Sequence, residues 1–157
     1  MSRIGVVSDT HDNLDRVRSA VALFNRAGVD RVVHCGDVVA QFVFVEMRRL
    51  KMPVAGVFGN CDGDREALRQ RAREFGFIWG DGPYGFEHAG KRFLVTHQPL
   101  PALPDCDFYL HGHTHRLKHG PGRPVVVNPG EACGWLTGRA TAAVLDAVSG
   151  AVEFFDL

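Results

Sequence analysis

The chain has 157 residues, of which 45% are hydrophobic, 23% charged and 10% aromatic. That suits one folded domain burying roughly 70% of its extended surface and excludes a disordered or fibrous protein. Eighteen basic side chains balance eighteen acidic ones, so bulk charge does not favour a duplex nucleic acid, and no apolar run reaches the roughly 20 residues of a membrane span.

In chain order, Ile4-Gly5-Val6-Val7 is a short apolar run, as in a strand buried on both faces. Asp12 or Asn13 can cap the helix that follows, where Leu14, Val17, Val21 and Phe24 recur at spacings of three and four, and Gly28 ends it. A strand is expected at Val32-Val33-His34, a helix from about Ala40 to Leu50, a strand from Val54 to Phe58 and an Arg-rich helix from Asp64 to Glu74. Strand alternating with helix argues for parallel βαβ units. The second half changes style. Tyr84 to Glu87 and Arg92 to Thr96 flank His88-Ala89-Gly90-Lys91 as hairpin arms, with short strands at Phe108 to Leu110 and Val125 to Val127. Thr141 to Asp146 and Val152 to Phe155 pair across Ser149-Gly150. The expected class is α/β, with two mixed β-sheets sandwiched by helices.

Met1-Ser2-Arg3-Ile4 carries no secretory apolar segment, so the cytoplasm is the expected setting. Cys35, Cys61, Cys106 and Cys133 form no CxxC pair and are expected as free thiols.

Polar residues gather where the apolar runs end. The clusters are Ser8-Asp9-Thr10-His11-Asp12-Asn13, Cys35-Gly36-Asp37, Gly59-Asn60-Cys61-Asp62, Thr96-His97-Gln98-Pro99 and His111-Gly112-His113-Thr114-His115. Any one alone reads as a cap or turn, but chance rarely puts metal-type residues at every strand end, where ligands of open α/β sheets bind. Aspartate, histidine and asparagine without a thiolate suit Mn²⁺, Fe²⁺, Co²⁺, Ni²⁺ or Zn²⁺. Alternation along an extended segment would let Asp9 and His11 reach one ion, and His113 and His115 a site nearby. Seven candidate side chains exceed what one ion takes, and two ions about 3.5–4 Å apart would use them all.

The order Asp9-Thr10-His11, Gly36-Asp37-Val38, Gly59-Asn60-Cys61-Asp62, Thr96-His97-Gln98-Pro99 and His111 to His115, with Asn128-Pro129-Gly130 beyond, resembles the calcineurin-like metallophosphoesterase superfamily. Within it, the small single-domain phosphodiesterases are the branch resembled. The resemblance implies an αββα sandwich forming one domain over residues 1–157. It implies one metal site from Asp9, His11, Asp37 and His115, and a second from Asp37, Asn60, His97 and His113, bridged by Asp37. Manganese is the favoured ion. Asp37, Asn60 and His97 would work around a metal-bridging hydroxide that attacks phosphorus in line, with Asp62 orienting a ligand histidine. On formal counting, two divalent ions, Asp9, Asp37 and the hydroxide leave about one positive charge to attract phosphate.

The sequence departs from the family pattern at three places. Cys61 stands where many members have a histidine thought to protonate the leaving group, Gln98-Pro99 follows His97 where Gly-His is common, and Glu131 follows Asn128-Pro129-Gly130 where serine is usual. With Cys61 there, aryl or nucleotidyl esters are expected to react faster than alkyl ones. A phosphomonoesterase with the same centre is the alternative. So is a non-catalytic scaffold, as the retromer subunit of this fold mainly is, but a scaffold would be expected to have eroded ligands. The neutral chain disfavours a nuclease, leaving a small phosphoester as the expected partner.

Other polar residues read more simply. His34 and His111 are expected in packing or support, and His88 in its hairpin and His119 in its loop face solvent. Arg65, Arg69, Arg71 and Arg73 read as a solvated helix face interleaved with Glu66 and Glu74. Phe42-Val43-Phe44-Val45 reads either as core or as a patch for self-association into a homo-oligomer.

Overall fold

A computed structural model describes residues 2–157. The first strand, β1 (Arg3–Val7), sends Ile4 and Val6 to one face and Val7 to the other. Gly5 lets the first helix approach, because a Cβ there would meet the Phe24 ring at 2.6 Å. That helix, α1 (Leu14–Ala27), starts at Asn13, whose side chain accepts from the Arg16 N–H. It ends at Gly28, where φ is 62° and glycine carries no steric penalty. Then come β2 (Arg31–His34), α2 (Phe42–Met47), β3 (Val54–Val57), α3 (Arg65–Glu74) capped by Asp64, and β4 (Ile78–Gly80).

The second half supplies β5 (Tyr84–His88), β6 (Lys91–Val95), β7 (Phe108–Leu110), β8 (Leu117–Gly120), β9 (Val125–Pro129), β10 (Thr141–Asp146) and β11 (Val152–Asp156). One sheet runs β11-β10-β1-β2-β3-β4, with β1 to β4 parallel and β10 and β11 antiparallel. The other runs β5-β6-β7-β9-β8, parallel at its centre and antiparallel at both edges. The molecule is thus α/β with two mixed sheets, as expected. Ile4, Val6, Val33, Val57, Phe93, Leu110 and Leu145 pack between the sheets. The three helices cover the other face of the six-stranded sheet through Val17, Phe24, Phe44 and Leu68.

Several expectations need correction. The second helix is only Phe42–Met47, shorter than the expected Ala40 to Leu50. Strands β4 and β8 were not foreseen: β4 is three residues long, and β8 is a polar edge strand without apolar alternation. His119 therefore lies in β8 rather than in a loop. His88 is half-buried, 3.6 Å from Asp30, rather than facing solvent. The hairpin turn narrows to Ala89 and Gly90, both at positive φ as a two-residue turn requires. Within Phe42 to Val45, Val43 and Phe44 are core while Phe42 and Val45 are exposed. Arg65 and Arg69 both reach Asp81, and Arg71 reaches Glu74, so that helix face is largely paired.

Candidate metal centre

The five polar clusters follow β1, β2, β3, β6 and β7, whose chain directions agree within each sheet. Their loops are joined by backbone bonds: Asp9 N–H to the Gly36 carbonyl at 3.0 Å, His11 to Asp37 at 3.1 Å and Gly112 to His97 at 3.0 Å. The segments are not extended, which corrects the alternation argument. Asp9, His11, Asp37, His113 and His115 all sit at positive φ, between 38° and 65°. Such left-handed turns are uncommon outside glycine and cost energy that surrounding structure must offset. Gly112 gives the room: a Cβ there would lie 2.7 Å from Asp9 Oδ2.

His34 supports these loops from behind. Its Nδ1 accepts from the Gly36 N–H at 3.0 Å, so Nε2 carries the proton and donates to Thr10 Oγ1 at 3.1 Å. The Thr10 hydroxyl then donates to the Asp37 carbonyl at 3.3 Å. Burial holds the imidazole neutral, its pKa lowered to about 3. His111 is also buried, and its pKa too is lowered by burial, consistent with a supporting role.

Each carboxylate divides its oxygens. Asp9 Oδ2 accepts from Ser8 Oγ at 2.5 Å and from the His113 N–H at 3.1 Å, while Oδ1 has no hydrogen-bond partner among the described residues. Asp37 Oδ1 accepts from the Cys61 N–H at 2.8 Å, leaving Oδ2 only 3.4 Å from His11 Nε2 and 3.3 Å from His97 Nε2. The histidines are fixed similarly. His97 Nδ1–H donates to the Cys35 carbonyl at 2.8 Å and His115 Nδ1–H to Glu131 at 2.6 Å. Their Nε2 lone pairs therefore face inward, that of His115 lying 3.3 Å from Asp9 Oδ1. Asn60 Oδ1 lies 2.8 Å from both His97 Nε2 and His113 Nδ1.

All seven residues thus converge: Asp9, His11, Asp37, Asn60, His97, His113 and His115. Ligands at about 2.1 Å from an ion stand about 3.0 Å apart at octahedral corners and about 3.4 Å apart at tetrahedral ones. The spacings here, 2.8 to 3.8 Å, bracket these values, and His11 Nε2 is likewise buried with no hydrogen-bond partner among the described residues. Such a donor set fits divalent ions, and clusters such as Asp9-His11-His115 and Asp9-Asp37-His97 have ligand atoms within 4.8 Å of one another.

Asp62 does not touch a histidine. Its Oδ1 accepts from the Val39 N–H at 2.7 Å, and its Oδ2 from Gly59 at 2.7 Å and Asp37 at 3.1 Å. It therefore orients the Asp37 loop through backbone, correcting the expected histidine contact. Burial raises its pKa from the ordinary aspartate value, against the pull of the backbone N–H groups of Gly59 and Val39. The histidine-orienting carboxylate is Glu131, a role the sequence analysis missed. Fully buried, it accepts from His115 Nδ1–H, from Thr137 Oγ1 at 2.7 Å, from the N–H groups of Leu136 at 3.0 Å and Thr137 at 2.5 Å, and from Cys133 Sγ at 3.2 Å. Burial opposes its ionisation, but the bonds from His115, Thr137 and Leu136 outweigh it and hold the carboxyl at about 2. Its only trace in the sequence was that glutamate replaces the usual serine. Cys61 is exposed beside Asn60, and the other three free cysteines are buried.

A family model described as the calcineurin-like phosphoesterase superfamily domain matches residues 2–150. Phosphodiesterase MJ0936 of Methanocaldococcus jannaschii is 35% identical over 155 residues, 92% of each chain. Among solved structures, one titled a novel archaeal phosphodiesterase superposes with a TM-score of 0.90 at 34% identity, covering 99% of both chains. The Escherichia coli phosphoesterase YfcE reaches a TM-score of 0.73 at 21% identity over 98% of both chains, a likeness of fold. With the family match spanning nearly the whole chain and the polar loops meeting at one point, this chain belongs to the calcineurin-like phosphoesterase superfamily.

Proposed function

We propose that this phosphoester hydrolase acts as one domain over residues 1–157, holds two divalent metal ions with Mn²⁺ favoured, and cleaves small phosphodiesters in the cytoplasm. The observation carrying this reading is the position of Asp37 Oδ2 between two donor sets, within 3.4 Å of His11 Nε2 and 3.3 Å of His97 Nε2. Asp9, His11, Asp37 and His115 would hold one ion, and Asp37, Asn60, His97 and His113 the other. When bound, such ions offset charge on phosphoryl oxygens and supply a water acidic enough to ionise near neutral pH.

The chain's own part is to arrange these groups beforehand. Asp9 and Asp37 each commit one oxygen to protein donors, and Cys35 and Glu131 fix the rings of His97 and His115, so that few side-chain rotations remain on loading. Asn60 contributes a neutral amide, which leaves more positive charge for an anionic substrate. Cys61 provides no imidazole for the leaving group, favouring aryl and nucleotidyl esters over alkyl ones. The names of the relatives favour diesters over monoesters.

The test is hydrolysis of bis-p-nitrophenyl phosphate by metal-stripped protein reloaded separately with Mn²⁺, Ni²⁺ and Zn²⁺. Activity should return with metal, vanish in Asp37→Asn and, across aryl esters, fall steeply with leaving-group pKa, a slope that Cys61→His should flatten. Protein that binds two ions yet stays inert would be a scaffold instead.

A further inference from the structure

Two large apolar side chains stand exposed beside this polar centre. Trp135 is 63% exposed and Leu136 75% exposed. With Asn60, Cys61, His113 and His115 they line a pocket of about 290 Å³ that also reaches His11 and Asp37. Leaving this much apolar surface in water is unfavourable, and neither residue packs into the cores described above.

The segment bearing them is anchored on both sides. Before it, the Cys133 N–H donates to the Asp9 carbonyl at 3.0 Å, and Asn13 Nδ2 donates to the Cys133 carbonyl at 2.9 Å. After it, Glu131 accepts from the Leu136 and Thr137 N–H groups. The indole N–H itself donates to the His11 carbonyl at 3.3 Å. The ring is thus tied to the backbone of a candidate ligand residue, its remaining surface open. A second pocket, of about 310 Å³, meets the first at Asn60 and is lined by Arg65, Asp81, Thr96, His97 and Gln98. The two openings differ in character: the first carries the exposed indole and Leu136, and the second carries the ionic side chains of Arg65 and Asp81.

We propose that Trp135 and Leu136 form a subsite for the planar ring of one ester group of the substrate, a phenyl ring or a nucleobase stacking on the indole. This rests on reading the centre as a phosphoester site and adds which ester group it selects. Stacking of a planar ring on an aromatic side chain is strong enough that discrimination of about tenfold is expected.

The probes are methylphosphonate, phenylphosphonate and adenosine 5′-methylphosphonate, titrated by calorimetry into Zn²⁺-loaded protein. Intrinsic fluorescence is a second readout, because Trp79, the other of the two tryptophans, packs against Phe44. A ring-bearing phosphonate should bind about tenfold tighter than methylphosphonate and quench Trp135 emission. That ratio should fall to about one in Trp135→Ala and be largely restored in Trp135→Phe. A preference for phenyl identifies an aryl ester, and a preference for adenosine a nucleotidyl one. Equal affinity for ring and methyl probes in the unaltered protein, or a tenfold ratio surviving in Trp135→Ala, overturns the subsite while leaving the centre intact. If methylphosphonate itself does not bind, the phosphoester reading of the centre fails and the subsite with it.

Discussion

Asp62 and Glu131 are both buried carboxylates, and among the described residues neither meets a lysine or arginine, yet they hold different things. The Asp62 carboxylate accepts only backbone N–H groups, from Asp37, Val39 and Gly59, and so ties two loops of the six-stranded sheet together. Glu131 stands just beyond β9 in the five-stranded sheet and grips a histidine side chain together with the segment that carries Trp135 and Leu136. One wall of the centre is built by fixing backbone, so that side chains follow. The other is built by fixing a side chain directly. Positive φ occurs on both walls, at Asp9, His11, Asp37 and Val39 on the first and at His113 and His115 on the second, but only the first holds a β-branched residue there, Val39 at 76°.

The largest effect expected from this contrast is in Asp62→Ala. Two buried N–H groups and the half-buried one of Val39 lose their acceptor, at the lower end of about 1–3 kcal/mol each, and Val39 is no longer held in its left-handed turn. Urea unfolding should show a loss of roughly 3–5 kcal/mol, and hydrolysis of bis-p-nitrophenyl phosphate should fall at least about a hundredfold. Stability within about 1 kcal/mol of the parent would mean that the strands alone position the loops.

Glu131→Gln should act more narrowly. The amide keeps the size of the carboxylate but has one accepting oxygen; with that oxygen facing the three donors of Leu136 and Thr137, its nitrogen meets His115 Nδ1–H and the ring loses its acceptor. Loss of such a partner to a metal-ligating histidine costs about 10- to 100-fold in metal affinity. Calorimetric titration with Zn²⁺ should therefore show one weakened site, the one including Asp9 and His115, and one nearly unchanged. Equal weakening of both sites would place Glu131 with Asp62, as a scaffold for the whole centre.

The same division governs what the sequence could reveal. Apolar runs between turn residues located most strands, and the residue types at their ends located all seven converging side chains. The route by which Asp9 and His11 converge was not legible, because periodicity assumes regular backbone and these residues occupy left-handed turns. Asp62 was picked out by its motif but given the wrong contact, since a motif does not say whether a carboxylate will meet a ring or a peptide N–H. Glu131 and Trp135 escaped because their partners, His115 and the His11 carbonyl, are distant in sequence: Trp135 lies 124 positions from His11. Strand β8 escaped for a related reason, as its register with β9 is set by tertiary pairing rather than by its own polar sequence.

The smallest expected effect belongs to His34, which closes the first wall from behind by joining the Thr10 and Gly36 segments. The titratable groups facing it are Asp9, Asp37, His11 and His97; burial outweighs the two carboxylates, and the two imidazoles act in the same direction as burial in keeping it neutral. Its pKa is about 6.5 when unfolded and about 3 when folded, so between those values the unfolded chain binds a proton that the native protein refuses. Stability rises with pH wherever the unfolded state binds more protons, so His34's contribution is complete above about pH 6.5 and is lost as pH falls toward 3. The slope approaches about 1.4 kcal/mol per pH unit for one proton. Positive ions at the centre would only depress the folded value further. In His34→Gln the neutral side chain has no proton to take up. Its stability at pH 7.5 should drop, because the bonds to Gly36 and Thr10 are imperfectly replaced, but the decline from pH 6 to 4.5 should be shallower by about one proton. Urea midpoints across that range give the slope directly. Parallel acid limbs in parent and variant would assign the acid sensitivity to the carboxylates of the centre rather than to the ring behind them.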